Sequence, residues 1–239
     1  MLIKGEILEN KLRKVRILNA FEIKMILIIL MTANHLGTIS NLYSKDIDFV
    51  ITLLSRCVAP MFAYFAAEGI RRTASLKKYC IRLNLLALFV QVGNTAVQLL
   101  AINILNYSEP IRIGNSIIGI ALAVDAIYLF SKSSHRIIWR SVALLLIVVG
   151  FLFGEEGTVI VPIILVEYFC CSRLFIKAIG YVLIEIVAVL LPFGEPYYFI
   201  FLPLIALYNG NEGRKTRFFY AYYPIHMWLI SLIMLITAE

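Results

Sequence analysis

Charge is the first thing this chain is short of: charged residues make up 15% of its 239 residues, against about 25% in soluble domains. Linker composition is missing as well. No low-complexity stretch, internal repeat or Pro/Gly-rich boundary divides the chain, so no second domain is expected. The four cysteines, Cys57, Cys80, Cys170 and Cys171, show no CxxC or metal spacing. Cys170 and Cys171 are sequence neighbours, a poor geometry for a mutual disulfide, and free thiols of this kind pack as small apolar groups. A disulfide scaffold and a thiolate metal site are therefore not expected. The first 20 residues lack a short apolar region followed by a small-residue cleavage site, so no cleavable signal is expected there.

Apolar residues are abundant, at 61% of the chain, and the mean hydropathy is +0.87. Backbone polar groups in lipid must be satisfied internally, which leaves helices or a closed barrel. The runs Met25–Met31 and Val142–Phe153 do not alternate with period two, which excludes the barrel. The expected fold is an all-α, polytopic membrane bundle. Nine spans are read, over residues 23–42, 47–70, 81–103, 113–130, 138–153, 157–170, 174–193, 197–208 and 218–237. Residues 1–22 form a basic N-terminal segment and residues 23–239 a single transmembrane helical domain. The sixth and eighth spans fall short of the ~17–25 residues that cross ~30 Å of hydrocarbon. A tilted, re-entrant or broken helix would account for them, inside the bundle or along a cavity.

The net charge of +7 follows the loops. One side carries the N-terminal cluster, then Arg71, Arg72, Lys77, Lys78 and Arg82, then Lys132, Arg136 and Arg140, then Arg173 and Lys177, then Arg214, Lys215 and Arg217. The other side carries Lys45 and Arg112, and nothing basic in Gly154–Gly157 or Phe193–Pro196. By the positive-inside rule the N-terminus is expected in the cytoplasm and the C-terminus outside. The charge is then a topology signal, and nucleic acid is not expected as a partner. Membrane lipid is, and self-association into a homo-oligomer is compatible with the pattern.

Ionisable groups within a bilayer are costly and mark functional sites by default. Here they are Lys24, His35, Arg56, Glu68, Asp125, Glu167, Glu185 and His226; structural ion pairs between helices are the alternative reading of each. Lys24 and His35 are 11 residues apart. That spacing returns to within ~20° of one direction and separates them by ~16 Å along a helix. Imidazole suits proton acceptance near neutral pH. Arg56 is expected at nearly the depth of His35, where it can steady an oxyanion or pair with a carboxylate. Glu68 is expected at the level of Lys24, with an ion pair between them as the structural option.

Asn84, Gln91, Asn94 and Gln98 fall within ~80° of one another on the third span. Such a stripe either glues helices together or lines a passage for an amide-bearing ligand. The last span opens Phe218–Phe219–Tyr220–Ala221–Tyr222–Tyr223–Pro224–Ile225–His226. An interfacial aromatic belt accounts for the rings. It does not account for Pro224, which frees a backbone carbonyl, or for His226; together these suggest a shaped polar pocket.

Three stretches carry a family resemblance: residues 26–37, ending Asn34–His35–Leu36–Gly37; Leu54 to Gly69, continuing through Arg71, Arg72, Thr73, Tyr79, Arg82 and Leu83; and Leu207–Gly210 with the aromatic run ending at His226. Over nearly its whole length the chain resembles the TraX family of bacterial membrane proteins. The resemblance implies a link to N-acetylation of pilin in conjugative systems. More widely, it implies kinship with a transmembrane acyltransferase group that includes acyltransferase-3 proteins and lysosomal heparan N-acetyltransferase. Acyltransferase-3 proteins place Arg or Lys, ten residues and then His in the first span, a spacing that Lys24 and His35 fit. The TraX pattern has Asp before the histidine; Asn34 stands there in this chain, which removes an imidazole-orienting carboxylate.

The resemblance implies a multi-pass enzyme of the bacterial inner membrane that takes acetyl-CoA from the cytoplasm. It would acetylate an amine or hydroxyl on a peptide, glycan or lipid acceptor at or beyond the membrane. His35, Arg56 and His226 are the expected catalytic residues, with His226 as the rival base to His35. Lys24, Arg71, Arg72, Arg82, Asn84, Gln91 and Lys215 are the expected donor-binding residues: the arginines as phosphate forks, the amides matching the pantetheine arm. No Ser or Cys stands out beside His35, which favours direct transfer. Two other classes stay open: a proton-coupled transporter or flippase using Asp125, Glu167 and Glu185 as relays, and a non-catalytic assembly factor with purely structural ion pairs.

Overall fold

A computed structural model describes residues 16–37, 39, 42–103, 113–132, 136–170, 173–191 and 198–237. Among them the chain is helical, with α1 (Ala20–Leu36), α2 (Lys45–Ser55), α3 (Val58–Arg72), α4 (Leu76–Asn103), α5 (Ser116–Phe130), α6 (Arg136–Phe153), α7 (Gly157–Phe169), α8 (Leu174–Leu190), a 3-10 turn at Tyr198–Phe201 leading into α9 (Leu202–Leu207), and α10 (Phe218–Thr237). Taking α2–α3 and the 3-10 turn with α9 as one segment each gives nine segments, close to the nine spans read from the sequence. Four are long and apolar enough to cross a membrane: Lys45–Arg72, Leu76–Asn103, Arg136–Phe153 and Phe218–Ile236. This is a multi-pass α-helical membrane protein. The apolar outer faces of α6 and α8, with Leu144, Leu145, Leu183 and Val189 all exposed, are what such a protein turns toward lipid. One hydrophobic core joins residues of α1, α3, α4, α5, α7 and α8.

The second span is not one straight helix. Arg56 and Cys57 form a turn between α2 and α3, closed by short backbone bonds to Leu53 and Leu54. Pro60 explains the break: it has no N–H to return to the Arg56 carbonyl four residues earlier. An interrupted helix at membrane depth is tolerated along a cavity, and Arg56 and Val58 both line one. The eighth segment, one of the two short ones for which the sequence offered a tilted, re-entrant or broken helix, is broken into a 3-10 turn and α9. Its Tyr198 N–H donates to Glu185 of α8 at 3.1 Å, and Tyr198 and Phe201 are buried.

One end of the bundle is tied by an arrangement the sequence did not disclose. Leu18 pairs with Tyr208 in a parallel bridge; Ala20 and Phe21 donate to the carbonyls of Asn211 and Glu212 at 2.8 and 3.1 Å. The first turn of α1 thus has its exposed donors met by the 207–212 segment and by the Asn19–Glu22 capping box. Gly213, at φ +69, lies where a Cβ would collide with Asn19. This end carries Arg72, Arg214 and Lys215. The opposite end carries Asp48 beside Gly37, and Glu155 beside Gly114.

Candidate functional site

A cavity of about 1110 Å³ runs from Lys24 to the Gly154–Gly157 turn. Its middle is apolar, walled by Ile28, Met31, Phe62, Leu83 and Ile117 among others. At the basic end it adjoins a second cavity of about 390 Å³. Lys24, Phe65, Phe219 and Tyr220 are walls of both. The smaller cavity is lined by Lys24, Arg72, Arg82, Arg214 and Lys215 against Glu68 and Glu212, an excess of cations. The larger one reaches His35, Arg56, Asp48, Glu155 and Glu156. The molecule therefore holds a basic vestibule, an apolar middle, and a polar far end with three carboxylates and Arg56.

His35 sits in the last turn of α1, nearer the helix end than the span reading implied, because α1 stops at Leu36. Its Nδ1 lies 3.1 Å from Nε2 of His226. The two histidines, treated as rival bases when only the sequence was read, are one pair. His226 is 5% exposed and does not wall the cavity, whereas His35 does. The His226 ring stacks on Tyr222 at 5.0 Å between centroids, with planes 10° apart. Its Nδ1 lies 2.9 Å from the Tyr222 carbonyl, and the Tyr222 hydroxyl meets Thr32 of α1 at 2.6 Å. Pro224 lies between Tyr222 and His226 in α10.

The expected Lys24–Glu68 ion pair does not form. Glu68 is taken by Arg72 at 2.6 Å and by the Tyr208 hydroxyl at 2.8 Å. Lys24 instead places its ammonium 5.0 Å from the Phe65 ring centroid and 5.7 Å from that of Phe219, a cation–π arrangement. It makes no salt bridge among the described residues and faces both cavities.

Three of the expected donor-binding residues lie elsewhere. Arg71 turns to α7, donating to the Glu167 carbonyl at 2.9 Å with its carboxylate at 3.7 Å. Adjacent helical residues point ~100° apart, so Arg72 faces the vestibule and Arg71 does not. Asn84 donates to Asp125 at 2.8 Å, and the Gln91 amide oxygen lies 3.5 Å from Asn115. Asn94 accepts from Trp228 at 2.8 Å and donates to the carbonyls of Ile113 and Gly114. For these three the stripe is glue between helices, and none walls either cavity. Arg82 does wall the vestibule, its guanidinium 5.7 Å from the Tyr79 ring centroid. Lys215 is there too, with an 87% exposed side chain.

The carboxylates suggested as proton relays are held apart. Glu167, 1% exposed, is bound by Lys177 at 2.8 Å, by Arg71 and by the Tyr181 hydroxyl. Asp125 is with Asn84, and Glu185 is with the Tyr198 backbone. None of the three walls either of these two cavities.

The sequence reading missed the far-end group. Ser116 donates to Glu155 at 3.0 Å, and its backbone N–H donates to the Tyr223 hydroxyl at 3.1 Å. Glu156 adopts a left-handed backbone, φ 52. Burial raises its carboxyl to about 7, helped by the Glu155 charge and opposed by Arg56. The available signal was the Gly154–Glu155–Glu156–Gly157 turn itself, two adjacent acids in a connection without a basic residue.

The family model described as TraX protein matches residues 20–234. No curated protein matches the chain, and no solved structure does.

Proposed function

The chain belongs to the TraX family, and from that premise we propose that it is an acetyl-CoA-dependent acetyltransferase of the bacterial inner membrane. The observation that carries the proposal is the adjoining of the two cavities at Lys24, which puts a cationic vestibule in line with a chamber walled by His35. CoA is polyanionic at its nucleotide end and apolar to amide-like along its arm. The vestibule residues Lys24, Arg72, Arg82, Arg214 and Lys215 suit the phosphates, and the apolar middle suits the arm and thioester. Along α1 the step from Lys24 to His35 is ~16 Å, a distance that a thioester on an extended arm would cover. The basic end faces the cytoplasm on the positive-inside rule.

In this reading His35 takes the proton from an amine or hydroxyl of the acceptor as that group attacks the thioester carbonyl. The C–S bond then breaks, and the proton passes to the departing CoA sulfur. Arg56, on the same chamber wall, steadies the carbonyl oxygen as it gains charge. Transfer is direct, with no acyl-enzyme. The separate tethering of Asp125, Glu167 and Glu185 weighs against the proton-relay transporter.

The test is equilibrium binding of radiolabelled acetyl-CoA to purified protein, with unlabelled CoA and with pantetheine as competitors. Binding that CoA displaces and pantetheine displaces only weakly supports the vestibule. Failure to bind acetyl-CoA would overturn the proposal.

A further inference from the structure

His35 and His226 meet through one ring nitrogen each, and the partners of those nitrogens set where the hydrogens lie. The Tyr222 backbone carbonyl can only accept a hydrogen bond. His226 Nδ1, 2.9 Å from it, therefore carries hydrogen. In a neutral imidazole the other nitrogen then bears the lone pair, so Nε2 of His226 is an acceptor. His35 Nδ1, 3.1 Å from that nitrogen, must donate to it. With both rings neutral, the His35 lone pair is left on Nε2, the nitrogen that does not face His226.

We infer that His226 is a positioning residue: anchored on the Tyr222 carbonyl, it holds the proton of neutral His35 on Nδ1 and so presents Nε2 as the base. The inference rests on the proposed role of His35. A neutral histidine side chain in water favours the opposite tautomer, with hydrogen on Nε2, so the protein has to impose this one.

The surroundings fit such a function. His226 is buried and does not wall the cavity, so it reaches a reactant only through His35. Its ring is clamped by the parallel stack on Tyr222, while the edge of Tyr223 lies 6.1 Å away between centroids. The Tyr222 hydroxyl in turn meets Thr32, one turn before Leu36 on the helix that carries His35. The stack and this bond fix α10 against α1 close to the histidine pair.

The same geometry accounts for Asn34. Neighbouring residues of a helix project ~100° apart, and Nδ1 of His35 is already met by His226. The orienting partner comes from α10 instead, and it is an imidazole rather than a carboxylate.

The experiment reads the tautomer directly, by ¹⁵N NMR of histidine-labelled protein at a pH where the imidazoles are neutral. The chain has three histidines, so His135→Gln leaves the pair, and His135→Gln with a change at 226 leaves His35 alone. In the His135→Gln protein, His35 is expected to show a protonated Nδ1 and an unprotonated Nε2. His226→Gln, whose amide oxygen can accept from Nδ1, should keep that pattern. His226→Leu should move the hydrogen to Nε2, and its kcat should fall below that of His226→Gln with KM for acetyl-CoA unchanged. A protonated Nε2 in the His135→Gln protein would overturn the inference, as would one pattern shared by the Gln and Leu variants. The spectrum does not depend on acetyl transfer, so failure of the enzyme assignment and failure of the tautomer assignment are told apart.

Discussion

Lys24 and Arg72 wall the same basic vestibule, but only Arg72 has a carboxylate partner: it holds Glu68 at 2.6 Å, while Lys24 rests against the faces of Phe65 and Phe219. An arriving phosphate can draw the Lys24 ammonium without breaking a salt bridge. Lys24→Met should therefore weaken acetyl-CoA binding, by about tenfold if the lost interaction is ~1.4 kcal/mol, with little change in melting temperature. Isothermal titration against acetyl-CoA checks this.

Arg71 and Arg82 make a paired test, because the sequence alone groups them in one basic cluster. Arg82→Ala should weaken acetyl-CoA binding and leave thermal stability nearly unchanged. Arg71→Ala should do the reverse: it strips one partner from buried Glu167, at a cost of about 1–3 kcal/mol, and should leave affinity intact. If both variants lose affinity equally, the separation of the two arginines is wrong.

Gly93 is needed for contact rather than for turn geometry. A Cβ there would run into the Trp228 ring, which donates to Asn94 next door. Gly93→Ala should destabilise the bundle by about 1–3 kcal/mol through forced repacking. Thermal unfolding in detergent would show it, and an unchanged melting temperature would mean that α4 and α10 do not pack this way.

Much of this was readable from the sequence, and the limits have physical causes. Apolar runs and loop charges located the nine segments, since lipid penalises every exposed backbone group. Pro60 held the signal for the break at Arg56, but residues 47–70 were read as one span. Periodicity identified a polar stripe on the first and third spans but not which helix would meet it. The amide stripe found Asp125, Asn115 and Trp228 rather than a ligand, and His226 was placed by residue counting nearer the basic end than His35. Only the packing of α10 on α1 brings that pair together.

Glu156 supplies a pH test outside the spans. Its carboxyl is raised to about 7 in the folded chain, chiefly by burial, above the ordinary value near 4.3. The folded state therefore binds this proton more tightly than the unfolded state. Its contribution is present at low pH and is lost as pH rises from the unfolded value through about 7. Melting temperature should fall across that window, and Glu156→Gln should flatten the fall. An identical pH profile in both proteins would contradict the assignment.

Asn34→Asp should leave turnover unchanged, because His226 already meets Nδ1 of His35. A rise in acetyl-transfer rate would mean that a carboxylate there does orient the imidazole.

The most direct measurement is acetyl transfer by purified protein in liposomes, from radiolabelled acetyl-CoA to a short peptide with a free N-terminus and to glucosamine, for the wild type and His35→Ala. The wild type should label at least one acceptor. His35→Ala should lose about 10²–10⁴-fold in rate, the usual contribution of a positioned base, while binding acetyl-CoA as the wild type does. Equal rates in the two proteins would contradict the role given to His35, and with it the transfer chemistry proposed for this site.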